Sequence, residues 1–203
     1  MRTLNYSVKN IFPISIHQFE INDFDDIKFK LINYVYSLQK QDPVGVDISN
    51  RGGWQSQDFD VTNQDDVLQS LLANCLSVFP PIKKSTDLYV NAWININEPS
   101  GQNVKHNHPG AMLAGVLWIK CPKNCGDILF DNPTGFNSYN EINSYTTDFR
   151  DKFNFHHSYF CPPTEGRMLI FPAYLEHLVK ENKSNEDRIS VSFNIRLANE
   201  SRI

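Results

Sequence analysis

The sequence predicts a mainly β fold of the α+β class, a barrel or jelly roll with helices from its first part packed on it. Three observations carry that expectation. Segments of helical period are confined to about the first 80 residues. After residue 86 the chain turns to short runs that alternate apolar and polar side chains, separated by Gly, Pro and Asn. Helices do not alternate with those runs, as they would between the strands of a parallel sheet. One domain is expected over 1–203, helical over about 1–80 and β over about 86–198. A chain of this size buries roughly 70% of its unfolded surface, enough for a core without covalent staples.

The elements follow in order. From Asp23 to Gln39, Phe24, Ile27, Leu31, Tyr34, Val35 and Leu38 recur at the three- and four-residue steps of one helix face. Asn22 or Asp23 starts that helix and Asp42-Pro43 stops it. In S-N-R-G-G-W-Q-S, residues 49–56, Gly52-Gly53 signals a turn and Trp54 offers a large surface that wants burial. A second helix is predicted over 64–78, with Val67, Leu68, Leu71, Leu72 and Cys75 on one face and Pro80-Pro81 beyond its end. Strands are predicted over 88–97, 111–120, 126–131, 167–172 and 188–197. Residues 132–162 lack a period; a segment of that length in a compact domain reads as a lid or binding loop.

Composition narrows the function classes. A net charge of −4 without a Lys/Arg block leaves no electrostatic footprint for nucleic acid or an anionic membrane surface. Charged residues punctuate the first thirty positions, which excludes a signal-type apolar region, and no run reaches membrane-spanning length. A cytoplasmic protein is expected. Cys121 and Cys125 form C-P-K-N-C, but the second pair that a zinc site needs is missing, so the four cysteines read as small buried or loop thiols.

Candidate chemistry gathers on histidines at strand ends. K-H-N-H-P-G places His106 and His108 two residues apart, on one side of an extended chain. His177 closes F-P-A-Y-L-E-H after another apolar strand. Three imidazoles so placed suit a transition metal. In the last strand Arg188, Ser190, Ser192, Asn194 and Arg196 share one face, and Arg196 reads as a solvated strand end.

The strings W-I-N-I-N (93–97), H-N-H-P-G-A-M-L-A-G-V-L-W (106–118), G-D-I-L-F-D-N-P (126–133), E-G-R-M-L-I-F-P-A-Y-L-E-H (165–177) and R-I-S-V-S-F-N (188–194) together resemble the 2-oxoglutarate/iron(II)-dependent oxygenases, in a small microbial and phage branch. The resemblance implies a double-stranded β-helix, a cupin-like distorted jelly roll. It implies Fe(II) held by His106 and the distal His177, 2-oxoglutarate as cosubstrate with its far carboxylate on Arg188 and Ser190, and O2 with a small-molecule or protein substrate. Where the superfamily has Asp or Glu, this chain has His108. His108 is the favoured third ligand by its register; Asp131 is the alternative. Trp93, Asn95 and Asn97 are candidates to line the cosubstrate site, and Tyr139, Tyr145, His156, His157 and Tyr159 to contact substrate from the lid.

Two other classes compete. A cupin-type metal enzyme that does not use 2-oxoglutarate would have no evident use for Arg188-x-Ser190. A non-catalytic jelly-roll binding module would turn its histidines to solvent.

Overall fold

A computed structural model describes residues 7–9, 11–61, 67–77, 88–134 and 137–197, with the side chains of 137–139 left aside. The element order is β1 (His17–Glu20), α1 (Asp25–Gln41), β2 (Asn50–Arg51), β3 (Trp54–Gln55), β4 (Phe59–Asp60), α2 (Val67–Ser77), β5 (Leu88–Asn97), β6 (Gln102–His106), β7 (Leu113–Lys120), β8 (Ile128–Asp131), α3 (Asn137–Ser144), α4 (Thr147–Phe153), β9 (Ser158–Cys161), β10 (Arg167–Pro172), β11 (His177–Val179) and β12 (Arg188–Leu197).

The strands form two antiparallel sheets. The larger runs β1-β10-β7-β12-β5-β3, with β4 also on β5; the smaller runs β2-β6-β11-β8-β9. Alternation along each strand of the larger sheet divides its side chains between two cores. Ala92, Ile94 and Ile96 of β5, Leu117 and Ile119 of β7, Met168 and Ile170 of β10 and Ile189, Val191, Phe193 and Ile195 of β12 pack with Leu31 and Val35 of α1 and Leu68 and Leu72 of α2. The opposite face gives Ala114, Val116, Trp118, Leu169 and Phe171 to a second core shared with Ile128, Phe130 and Cys161 of the smaller sheet. The layers are therefore helices, large sheet, small sheet. Each fully buried Leu, Ile or Phe side chain contributes roughly 1.5–3 kcal/mol. A slip of one residue in β12 would exchange Ile189 for Arg188 in the helix-side core, so the register is strongly specified.

Helix α1 begins without a side-chain cap. Asp23 takes a positive φ of 54°, and the Asp26 and Ile27 amides donate back to Asp23 and Phe24 carbonyls. Asp25 and Asp26 complement the positive end of the helix. The predicted stop holds: the Asp42 amide donates to the Leu38 carbonyl and Pro43 follows. Trp54 is buried, its indole N–H donating to the Asp42 carbonyl at 2.7 Å. The predicted first turn of the second helix and Pro80-Pro81 lie outside the described residues.

The span 132–162 departs from an irregular loop. It holds α3, α4 and the edge strand β9, which pairs with β8. Thr146 caps α4 by accepting from the Phe149 amide, and Asn154 ends it in the left-handed conformation. Both helices are too short for a period to stand out in the sequence. Among the described residues no helix is long and apolar enough to cross a membrane.

Candidate metal centre

The larger and smaller sheets meet over a cleft lined by His106, His108, His177, Trp93, Asn95, Asn103, Ser49, Arg188, Ser190 and Ser192, among others. His106 ends β6 and stands opposite His177, the first residue of β11. The ladder between these strands is irregular: His177 pairs with His106 but Val179 pairs with Asn103, leaving β6 one residue longer. Such a bulge re-aims the side chains beside it. His108 lies beyond the strand, fixed by its amide donating to the Ala173 carbonyl at 2.9 Å. The two-residue spacing thus brings His106 and His108 together through a strand end and a held loop rather than through one extended strand.

The imidazoles converge. One ligand nitrogen from each of His106, His108 and His177 lies within 4.8 Å of the others. His108 Nε2 and His177 Nε2 are 3.3 Å apart, close to the roughly 3 Å that separates neighbouring nitrogens each about 2.1 Å from one metal. His106 Nδ1 donates to the Val104 carbonyl at 2.7 Å and His177 Nδ1 to the Leu175 carbonyl at 2.8 Å. These bonds fix the tautomer and leave both Nε2 lone pairs toward the cleft, the usual outer support of a metal-binding histidine. Phe171 packs edge-on to the His177 ring at 4.9 Å and Trp93 lies 5.8 Å from His108.

Burial and mutual repulsion keep the rings neutral. His108 is lowered to about 3 by burial, then by His177, His106 and Arg196. His177 is lowered to about 4 by burial and by His106, and burial also lowers His106. Three uncharged imidazoles with convergent lone pairs are the donor set a divalent transition metal requires.

Asp131 is not brought to this cluster. In β8 the inward residues are Ile128 and Phe130; Asp131 points the other way, its carboxylate 2.6 Å from Lys105 Nζ and 3.4 Å from Ser158 Oγ. Glu176 is exposed beside the same lysine.

Arg188 is 1% exposed. Its Nη1 donates to Asn97 Oδ1 at 3.0 Å and to Ser190 Oγ at 3.2 Å, while its Nε has no partner. Asn97 in turn donates to Asn103, and Asn103 to Ser49 Oγ. Among the described residues no carboxylate pairs with Arg188, and burial lowers its proton affinity. A buried guanidinium without an anion is costly, and this one opens on the cleft that holds the imidazoles. Asn95 is buried there too, donating to Ser192 Oγ with its own Oδ1 unpartnered. Near Arg188 the Cys121 thiol lowers the proton affinity of the Cys125 thiol by donating a hydrogen bond to it, against the opposing effect of burial.

The lid candidates stand apart from the cleft lining. Tyr145 stacks on Phe149, His156 sits 3.4 Å from Asp151, His157 contacts Asn143, and Tyr159 is exposed on β9. Tyr139 falls in α3, its side chain outside the described residues. Arg196, expected at a solvated strand end, is half-buried with an Nε shielded from solvent. Asn103 and Ser49 were not foreseeable as site residues, because neither sits in a periodic run; the single hint was the Ser49-Asn50 lead into the Gly-Gly turn.

Known proteins share a family and a fold with this chain. A family model described as "Putative 2OG-Fe(II) oxygenase" matches residues 91–194, about half of the chain. No protein of curated function matches by sequence. A prolyl-4-hydroxylase from Pseudomonas putida superposes with a TM-score of 0.63 at 14% identity, covering 91% of this chain and 93% of that one. HygX from Streptomyces hygroscopicus, solved with nickel and 2-oxoglutarate bound, gives 0.64 at 9% identity over 92% and 84%. A prolyl hydroxylase from Trichoplax adhaerens gives 0.59 at 12% identity over 91% and 87%. The shared fold is the double-stranded β-helix that the family resemblance implies, a form of the barrel or jelly roll expected from the strand pattern.

Proposed function

Since the chain belongs to the 2OG-Fe(II) oxygenase family, and so is a dioxygenase using Fe(II), 2-oxoglutarate and O2, we propose that it couples decarboxylation of 2-oxoglutarate to hydroxylation of a second substrate, yielding succinate and CO2. The observation that carries this reading is the buried Arg188, with no carboxylate partner among the described residues, in one cleft with three convergent imidazoles. A cupin-type enzyme without a dicarboxylate would gain nothing from that guanidinium, and a plain binding module would gain nothing from the imidazoles.

In this reading His106, His108 and His177 hold iron, and Arg188 with Ser190 receives the distal carboxylate. Bound iron supplies the oxidising power by activating O2 beside the 2-oxo acid. The remaining work belongs to the protein. Asn97 holds the Arg188 Nη1 side, leaving the rest of the planar fork for a carboxylate. Asn95 and Trp93 flank the space between Arg188 and the imidazoles, the amide as a polar contact and the indole as a wall beside His108. Phe171 and Val116 keep the floor of the cleft apolar and so limit water. His108 takes the third ligand position because Asp131 is engaged by Lys105. Three neutral imidazoles bring no negative charge, so the dianionic cosubstrate supplies it.

Turnover of 1-labelled 2-oxoglutarate by the Fe(II)-loaded protein in air tests the proposal. Labelled CO2 and equimolar succinate are expected even without a second substrate when ascorbate is present to supply the two electrons that reduce the remaining oxygen atom to water. A dicarboxylate left intact while iron is bound would overturn it.

A further inference from the structure

Strand β12 carries a second guanidinium on the face that holds Arg188. Arg188, Ser190, Ser192, Asn194 and Arg196 alternate with Ile189, Val191, Phe193 and Ile195, which pack against the helices. Ser192 pairs with Trp93, the residue beside His108. The imidazoles therefore lie over the middle of the strand, with Arg188 four residues to one side and Arg196 four to the other, about 13 Å of strand each way at roughly 3.3 Å per residue.

The backbone around Arg196 is continuous with that around the imidazoles. The Met112 amide donates to the Ile195 carbonyl, the Ala173 amide to the Met112 carbonyl, and the His108 amide to the Ala173 carbonyl. The Arg196 Nε is sealed from solvent without a hydrogen-bond partner, and among the described residues no carboxylate pairs with it. Beside it Asn194, and across the ladder Asn91, are each 6% exposed and each carry an Oδ1 without a partner. Buried polar atoms left unsatisfied in this way favour a ligand that satisfies them.

We propose that Arg196 anchors the molecule to be oxidised through an oxyanion on that molecule, a carboxylate or a phosphate, while N–H or O–H donors of the same molecule meet the amide oxygens of Asn194 and Asn91, the Asn91 Nδ2 being held by Asp58 at 2.8 Å. This rests on the oxygenase reading above. A cosubstrate reaching from Arg188 to the imidazoles would have no carboxylate left for Arg196, which lies on their far side along β12. Met112 and Tyr174, both exposed, follow on the same hydrogen-bonded segments and offer apolar contact to the rest of such a substrate.

Ligand-observed NMR on the anaerobic protein loaded with Fe(II) and 2-oxoglutarate, and on the metal-free protein, tests this with N-acetyl-leucine, its methyl ester and inorganic phosphate. The acid is expected to bind at least tenfold more tightly than the ester, Arg196→Gln to abolish that preference, and Arg196→Lys to retain part of it. Affinity for 2-oxoglutarate stays within twofold in both variants. Phosphate that displaces the acid from the wild type at lower concentration than acetate does, and binds weakly to Arg196→Gln, identifies the phosphate arm of the proposal; acetate displacing it at lower concentration identifies the carboxylate arm. Equal binding of acid and ester, no binding of either, or an acid preference surviving Arg196→Gln overturns it. So does a loss of 2-oxoglutarate affinity in Arg196→Gln, which would put Arg196 in the cosubstrate site. If instead the wild type fails to bind 2-oxoglutarate while the metal-free protein keeps an Arg196-dependent acid preference, the oxygenase reading falls and the anion site stands.

Discussion

His177 stands directly opposite His106 across the β6–β11 ladder, their ring centroids 4.4 Å apart and each Nδ1 bonded to a carbonyl two residues earlier in its own chain. Two strands far apart in sequence thus deliver two Nε2 atoms in the same tautomer.

Single replacement of either histidine by alanine should lower affinity for Fe(II), or for Co(II) as a stable substitute, by at least roughly a hundredfold. His108→Ala should do the same, whereas Asp131→Asn should leave affinity within about threefold, because Asp131 faces Lys105. Calorimetric titration checks all four. Retained affinity in His108→Ala with loss in Asp131→Asn would exchange the two residues' roles.

Arg188→Met should weaken 2-oxoglutarate binding by about 2–5 kcal/mol, the scale of losing one partner from a buried charge pair. The same variant should be at least as stable as the wild type in urea, because a buried guanidinium with no carboxylate partner among the described residues leaves the interior. Arg188→Lys keeps the charge but not the planar fork and should bind the cosubstrate weakly as well. A strongly destabilised Arg188→Met would show that the Asn97 and Ser190 bonds outweigh the buried charge.

The metal-free protein should lose stability as pH falls. His177 and His108 have native values of about 4 and about 3, below the roughly 6.5 of an unfolded histidine. Between about 6.5 and 4 the unfolded chain therefore binds more protons than the native state, and stability declines across that window as acid is added. Thermal melts from pH 7.5 to 4.5 should show the fall, and His177→Gln should flatten it.

Gly53→Ala should destabilise the fold by about 1–3 kcal/mol. Gly53 holds a φ of +121°, and a Cβ there would meet the Ile96 carbonyl oxygen at 2.0 Å. Urea unfolding should show the loss, with α1 and Trp54 affected first, since Trp54 follows directly and anchors Asp42.

The parts of this account legible in the sequence are those that repeat. The alternation of β5 and β12 told which residues share the face of Arg188, and the three- and four-residue steps of α1 told which residues reach the sheet. The outward turn of Asp131 was not legible, because it depends on β8 pairing with β11 in one register. The burial of Arg196 was hidden for a related reason. A strand's last charged residue reads as solvated unless its neighbours in the sheet are known, and here the Met112 segment pairs beside Ile195. Helices α3 and α4 were missed because one or two turns carry too few apolar positions to define a period.

The central claim is that one cleft joins a three-imidazole iron site to a carboxylate receptor at Arg188. Anaerobic optical titration of the Fe(II)-loaded protein with 2-oxoglutarate tests it most directly. The account predicts a weak visible charge-transfer band that saturates in the wild type, is absent in His177→Ala, and needs at least roughly thirtyfold more 2-oxoglutarate in Arg188→Met. A wild-type protein that binds iron but shows no band, or a band unchanged in both variants, would contradict it.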